Sequence, residues 1–446
     1  MNIRRKMRKA ALHNLGCKVN SYETEAMEEL LRQDGFEIVP FDEYADVYVV
    51  NTCSVTNIAD RKSRQMLHKC KKINPDACLV ATGCYIQNFG KDIPEELGCD
   101  IILGNNKKGD LVQKLHEFFA ENTSAGPILD FEDINQAGIS YESMHIEKDS
   151  EHTRAFVKVQ DGCNQFCTYC IIPFARGRIR SRSIEDVVEE ITGLGHNGYR
   201  EVVITGIHLS SFGAGTDYSL ADLLEAVNEI EGIDRIRLGS LEPQIVTEDF
   251  AARVSRLEKL CPHFHLSMQS GCDTVLKRMN RRYTSAEYKK GCCILRKFFD
   301  NPAITTDVIV GFPGETEEEF QETYGFVQEI SFYEMHVFQY SKRAGTKAAT
   351  MPNQIPGNIK KSRSAALLAV DGEKRKAYLM DHIGQNMDIL FEEKITIDNA
   401  DYYVGFSREY IKCALLADGR DDLRNKIVKA KAYAYMEEQD YLIVEI

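Results

Sequence analysis

The chain has 446 residues and a formal net charge of −13. Such a balance excludes a protein that holds nucleic acid through a uniformly basic surface, although a local basic path is compatible with it. No apolar run approaches the length of a membrane span, and the basic start (Arg4, Arg5, Lys6, Arg8, Lys9) leads into no apolar stretch, so neither a membrane anchor nor a secretory signal is expected. The length predicts two to four domains. Fourteen cysteines without an export signal point to metal or redox chemistry in a reducing, cytoplasmic setting rather than to disulfides. Cys70, Cys78, Cys261, Cys272, Cys292, Cys293 and Cys413 follow no spacing rule and read as small hydrophobes.

In chain order, strands are predicted at Ala10 to Leu15, Asp46 to Val50, Cys78 to Thr82 and Asp100 to Leu103, with helices at Glu23 to Gln33 and Ala59 to Lys72. Asn20 with Glu23 reads as a capping box opening the first helix. The alternation predicts an α/β domain with a parallel sheet over residues 1–122. The polar stretch 123–150 reads as a linker. A second α/β series fills 151–380, with strands at Ala155 to Gln160, Glu201 to Thr205, Arg235 to Gly239, His263 to Met268, Ile304 to Val310 and Glu334 to Tyr340. Ser183 with Asp186, Thr284 with Glu287, and Thr316 with Glu319 mark helix starts between them. Six βα units predict a partial barrel. Residues 381–446 read as about five short strands forming a small all-β barrel, a shape that suits nucleic-acid binding or a structural cap equally well.

Three cysteines, Cys163, Cys167 and Cys170, fall within eight residues of the loop after the first strand of the second series. That strand end is where αβ barrels build their sites. A structural zinc site takes four ligands, usually as two separated pairs, and no fourth Cys or His lies at a fitting distance. Three thiolates on an iron–sulfur cube leave one iron open. A second trio, Cys17, Cys53 and Cys84, is scattered in sequence, but each cysteine directly follows a predicted strand of the first domain. A parallel sheet brings such positions to one edge.

The spacing Cys163-Asn-Gln-Phe-Cys167-Thr-Tyr169-Cys170 resembles the radical S-adenosylmethionine (SAM) superfamily. The resemblance implies that the open iron binds SAM and that one electron splits it into methionine and a 5′-deoxyadenosyl radical. It further implies SAM contacts at strand ends: Tyr169 on the cluster loop, Thr205 and Gly206, Ser240 and Glu242, Gln269 (on a strand where His265, Ser267 and Gln269 point one way), and Phe312 in Gly311-Phe312-Pro313-Gly314. Gly16-Cys17-Lys18-Val19-Asn20, Asn51-Thr52-Cys53 and Gly83-Cys84, ahead of that cluster, are similar to the methylthiotransferase family over nearly the whole chain. The β tail then resembles a TRAM domain, and the scattered trio would hold an auxiliary 4Fe–4S cluster. Lys18-Val19, with Cys170-Ile-Ile-Pro-Phe-Ala-Arg176-Gly, most resembles the branch acting on N6-threonylcarbamoyladenosine in tRNA.

The implied reaction is methylthiolation of C2 of that base beside the tRNA anticodon. The implied cofactors are two 4Fe–4S clusters and SAM, and the partners a tRNA anticodon stem-loop and an electron donor, with no membrane or DNA. Arg176, Arg178, Arg180 and Arg182 form a basic run that begins six residues after Cys170 and would grip anticodon-loop phosphates. Rival readings are a ribosomal-protein methylthiotransferase, a radical SAM enzyme of another reaction type, and a zinc-dependent RNA-binding protein.

Overall fold

The computed structural model describes residues 7–89, 95–120, 126–136, 138–147 and 153–446. Arg4, Arg5, Lys6 and parts of the stretch read as a linker lie outside them. The first unit carries strands β1 (Lys9–Asn14), β2 (Glu37–Ile38), β3 (Val47–Thr52), β4 (Cys78–Gly83), β5 (Ile101–Leu103) and β6 (Ile128–Asp130), all parallel, in the order β2-β1-β3-β4-β5-β6. Every residue of β3 and β4 is buried, as both faces of a parallel sheet require. Helices α1 (Lys18–Gln33) and α4 (Leu111–Ala120) cover one face through Met27, Leu31, Leu111 and Leu115. Helix α2 (Asn57–Ile73) covers the other through Leu67 and Cys70, and α3 (Cys84–Phe89) follows β4.

Two local expectations are corrected. Helix α1 begins before the proposed capping box, with Cys17 as its N-cap. Asn20 and Glu23 are therefore inside the helix and buried, Asn20 bonded to the strand ends of its own sheet and Glu23 to cations that include two of the second unit. The linker is also not free: β6 pairs with β5, and Met144 and Ile146 join the core of the second unit.

The second unit runs β7 (Arg154–Asp161), α5 (Ile172–Arg176), β8 (Arg180–Ser181), α6 (Ile184–His196), β9 (Glu201–Gly206), α7 (Leu220–Asn228), β10 (Arg235–Leu238), α8 (Glu248–Val254), β11 (His263–His265), α9 (Asp273–Arg278), α10 (Ser285–Phe298), β12 (Ala303–Val310), α11 (Glu317–Ile330) and β13 (Glu334–Gln339). Two sheets, β10-β9-β7-β8 and β11-β12-β13, are joined by the bridges Ile236 to Leu260 and Leu241 to Leu266, which makes an open barrel. Outward-facing Val157, Ile204, Ile236, Phe264, Ile304 and Val308 meet the helices. The alternate positions, Lys158, Arg237, His265, Asp307 and His336 among them, face inward by the two-residue period of a strand. Ser183, Thr284 and Thr316 cap α6, α10 and α11 as expected from sequence.

A helix absent from the sequence reading, α12 (Gly357–Asp381), lies along β13 and leads to a closed five-stranded barrel. Its strands are β14 (Asn386–Ile397), β15 (Ala400–Ser407), β16 (Lys412–Leu416), β17 (Lys426–Met436) and β18 (Tyr441–Glu445). The turn between β15 and β16 plugs the end of the open barrel where β7, β9 and β10 begin. Arg235 donates to the carbonyls of Phe406 and Asp388, and Arg237 to those of Arg408 and Ser407. Tyr410 stacks on Phe406 (4.5 Å between ring centres) and lies under the Arg237 guanidinium at 4.5 Å.

The first two units meet through buried charges. Glu23 of α1 is ion-paired to Arg176 of α5, to Lys108 at 3.1 Å and to Lys158 of β7 at 2.7 Å. Asp161 pairs with Lys158 at 2.7 Å and with Arg176 at 3.3 Å. Burial alone would raise the Glu23 carboxyl, but Arg176, Lys108 and Lys158 hold it well below the usual carboxylate range. A depressed pKa gives stability that is complete above the unfolded value of about 4.3 and is lost as pH falls toward the folded value. Glu23→Gln should therefore cost about 3–5 kcal/mol at neutral pH. Urea unfolding should also show a weaker pH dependence for the variant below about pH 4.3 than for the parent.

Candidate active site

Three strands of the first sheet end in cysteine. Gly16 and Gly83 precede Cys17 and Cys84 with φ of +113° and +95°, a conformation open to glycine that turns each cysteine onto the start of a helix. A Cβ on Gly16 would sit 2.7 Å from Cys53 Sγ, so the Cys17 loop lies directly on Cys53. Asn20 fixes that contact by donating to the carbonyls of Leu15 (2.7 Å) and Thr52 (3.1 Å), while Asn51 donates back to the Asn20 carbonyl at 3.0 Å. The asparagines of both sequence motifs are thus stitches between strand ends. Cys53 and Cys84 are buried; Cys17 is open to water. Even so, burial by the surrounding walls is the main force raising the Cys17 thiol, with Arg176 opposing it, and it lifts Cys53 to about 11. Arg176 Nε donates to Cys84 Sγ at 3.3 Å.

Cys163, Cys167 and Cys170 lie on the loop between β7 and α5. Thr168 anchors this loop to the barrel, its N–H donating to the Met279 carbonyl (3.0 Å) and its hydroxyl to that of Arg278 (2.9 Å). Asn280 donates to the carbonyls of Gln165 and Phe166. Burial raises Cys163 to about 11 and Cys170 to about 12. Arg281 Nη1 donates to Cys167 Sγ at 3.4 Å and its Nη2 lies 2.9 Å from Glu242, whose carboxylate also meets His208 (3.1 Å) and Gln165 (3.1 Å). Each trio thus has one buried arginine on one sulfur.

The donor sets fit iron–sulfur clusters better than single ions. Among the described residues, the one His/Cys/Asp/Glu trio with ligand atoms all within 4.8 Å is His265, Asp307 and His336, so neither cysteine trio is gathered that tightly. A zinc ion with bonds of about 2.3 Å would draw its sulfurs closer than that. The arginine N–H groups on sulfur suit an anionic cluster, whose potential such bonds tune. Burial keeps the metal-free thiols of Cys53, Cys163 and Cys170 neutral at pH 7, so loading would release their protons.

The remaining sequence candidates divide. Glu242 is buried in the cluster-side network above, Ser240 is exposed, and Thr205 is buried at the end of β9. Gly206 allows close approach to Gln160, whose Oε1 would lie 2.9 Å from an added Cβ. Gln269 is buried with φ +69°, its N–H on the Asp307 carbonyl at 2.8 Å. Phe312 is fully buried, its ring against Tyr169 (6.4 Å) and Tyr340 (5.5 Å), so the ring supports the cluster loop rather than offering a face to a ligand.

The basic run is corrected in the same way. Arg176, Arg180 and Arg182 are buried and paired with Glu23, Asp161 and Glu190, which leaves no guanidinium of these three for phosphates. Arg178 alone of the four is exposed, over the Phe166 ring at 4.5 Å. His208 was missed from sequence. Arg281 shows in the sequence only as one of a basic group, Lys277, Arg278, Arg281 and Arg282, and nothing in their order marks the one that turns inward.

Residues 157–327 match the Radical SAM superfamily, and residues 9–104 match the uncharacterized protein family UPF0004. The chain is 41% identical over 446 residues to the threonylcarbamoyladenosine tRNA methylthiotransferase MtaB of Bacillus subtilis, covering 98% of each. It is 36% identical to a tRNA-2-methylthio-N(6)-dimethylallyladenosine synthase of Clostridium botulinum, covering 81% of this chain and 82% of the relative. The radical SAM methyltransferase TsrM of Kitasatospora setae, solved with cobalamin and a 4Fe–4S cluster, shares the fold with a TM-score of 0.59 at 13% identity, over 77% of this chain and 74% of its own. With near full-length identity of 41% and two cysteine trios in place, the chain belongs to the radical SAM methylthiotransferase family.

Proposed function

We propose that this enzyme methylthiolates C2 of N6-threonylcarbamoyladenosine beside the anticodon of tRNA, with one 4Fe–4S cluster on Cys163, Cys167 and Cys170 and an auxiliary one on Cys17, Cys53 and Cys84. The observation that carries this reading is the short path between the trios. Helix α5 starts two residues after Cys170 and ends at Arg176, which touches Cys84. Five helical residues span about 7 Å. The near full-length relative named for threonylcarbamoyladenosine supports the choice of base.

The C2–H bond of adenine is beyond acid–base groups, and the cluster with SAM would supply a carbon radical able to break it, given one electron from a donor. The protein's own part is placement. Glu242, held by Arg281 and His208, presents a fixed carboxylate beside Cys163 for a polar group of SAM. Ser240 lies at the mouth of the lumen, and the first domain closes the barrel's open side, which limits water.

The closed barrel offers an RNA face. Lys429, Lys431 and Tyr433 alternate along β17 and are all exposed, a pattern of cations and an aromatic that suits phosphates and stacked bases. This supports the TRAM-like reading. The double variant Lys429→Ala, Lys431→Ala should bind tRNA more weakly and lower the slope of log affinity against log salt by about 1–2. Equal slopes would remove this face from the interface.

The activity is tested by anaerobic loading and incubation with SAM, a reductant and tRNA bearing threonylcarbamoyladenosine, followed by nucleoside mass spectrometry. A 2-methylthio product is expected, absent for Cys163→Ala and for Cys53→Ala, each of which should lose about half of the bound iron. Conversion of only dimethylallyladenosine tRNA would move the chain to the sibling branch.

A further inference from the structure

A cleft of about 390 Å³ in the barrel lumen is lined by all three units. Lys18 comes from the first, immediately after Cys17; His265, Asp307 and His336 from the second; Tyr410 and Lys412 from the third. His336 lies beside Asp307 across the β12–β13 register, and His265 beside Thr305 across β11–β12, so these side chains share the inward face.

The charged groups of this cleft are unevenly paired. Asp307 is 3.3 Å from His265 Nε2, and His265 Nδ1 lies 3.0 Å from Thr305 Oγ1. Glu334 is held by Arg375 at 3.3 Å, and Arg375 also pairs with Asp440. Asp307 and Glu334 thus each have a partner other than the two lysines. Lys18 and Lys412 line the cleft with no hydrogen bond or ion pair among the described residues. Beneath them His263 is 7% exposed and its Nδ1 has no partner. Burial, then Arg237, Lys18, His265 and His336, holds His263 well below the usual imidazole range. Two lysines at the mouth of this cleft are thus left without a carboxylate partner among the described residues.

We propose that the cleft is a carboxylate receptor, in which Lys18 and Lys412, with His336, grip the anionic end of the substituent on the target base. The proposal rests on the function proposed above: a threonylcarbamoyl group ends in a carboxylate, whereas adenine without it, or with a dimethylallyl group, presents no charge. The volume suits a substituent of that size. Lys18 adjoins Cys17, so the grip sits next to the auxiliary trio and sets which modified base is presented there.

The test uses the full-length, iron-loaded enzyme and three anticodon stem-loops that differ at N6 of one adenosine: threonylcarbamoyl, its methyl ester, or no substituent. The parent should bind the acid about tenfold more tightly than the ester. Lys18→Met and, separately, Lys412→Met should each bring that ratio below about threefold. The ratio is the readout, so a general loss of attraction for RNA cancels, and iron content checks that Lys18→Met spares its neighbour Cys17. A parent ratio near one, with the acid still converted to a methylthio product, would overturn the receptor and leave the proposed activity standing. A tenfold ratio without conversion would keep the receptor and reject the activity. A ratio that vanishes on removal of divalent metal, and is unmoved by either lysine change, would replace the direct grip by a cation on His265, Asp307 and His336.

Discussion

The ion cluster of Glu23, Asp161, Lys108, Lys158 and Arg176 is the constraint on which the rest of the structure depends. Taking five charged side chains out of water costs several kcal/mol per ion unless each is closely paired, and each is. The cluster joins α1 and the segment around Lys108, in the first unit, to β7 and α5, in the second. Those same elements carry Cys17, Cys163 and Cys170 or lead directly to them. Cations outnumber carboxylates here, and Arg176, paired with both Glu23 and Asp161, also points Nε at Cys84. The surplus is thus placed where sulfur ligands would carry negative charge.

That arrangement explains why Arg176 is poorly suited to the surface role its sequence suggests. A guanidinium exposed to phosphate would be free to move and screened by salt. Inside, it is pinned by Glu23, Asn20 and Asp161, and it fixes the end of α5. Arg281 repeats the design on the other trio, with Glu242 as its anion. Each trio is therefore adjoined by a cation whose own position is set by a buried carboxylate.

Much of this was legible in the sequence, and the physical reasons are specific. The four central strands of the first sheet showed, β3, β4 and β5 most clearly because both their faces are buried and apolar, whereas the short edge strands β2 and β6 did not. The convergence of Cys17, Cys53 and Cys84 followed from parallel topology alone. The small barrel showed through alternation in β14 to β18. What could not be read was direction. Arg176, Arg178, Arg180 and Arg182 alternate evenly, but a five-residue helix and Gly177 interrupt the segment, so spacing does not tell which of them faces inward. The capping box at Asn20 failed because a turn at Gly16 starts the helix sooner. Helix α12 went unnoticed because it buries Arg363, Ser364, Leu367, Val370 and Leu379, too mixed a set to form an apolar stripe. The lumen's cleft draws its lining from three domains at once and has no local signature.

The docking of the small barrel has one further consequence. Arg235, Arg237 and Arg408 make their cross-domain hydrogen bonds to carbonyls, those of Phe406, Asp388, Arg408, Ser407, Glu258 and Leu260. A carbonyl belongs to every residue, so this part of the attachment reads backbone shape and is largely indifferent to the side chains above it. The outer face of the module can then drift in composition across lineages without loosening its seat. Selection on RNA contacts and selection on assembly are in this way largely decoupled, which makes the module a natural place for the enzyme to adapt to new partners while its chemistry stays fixed.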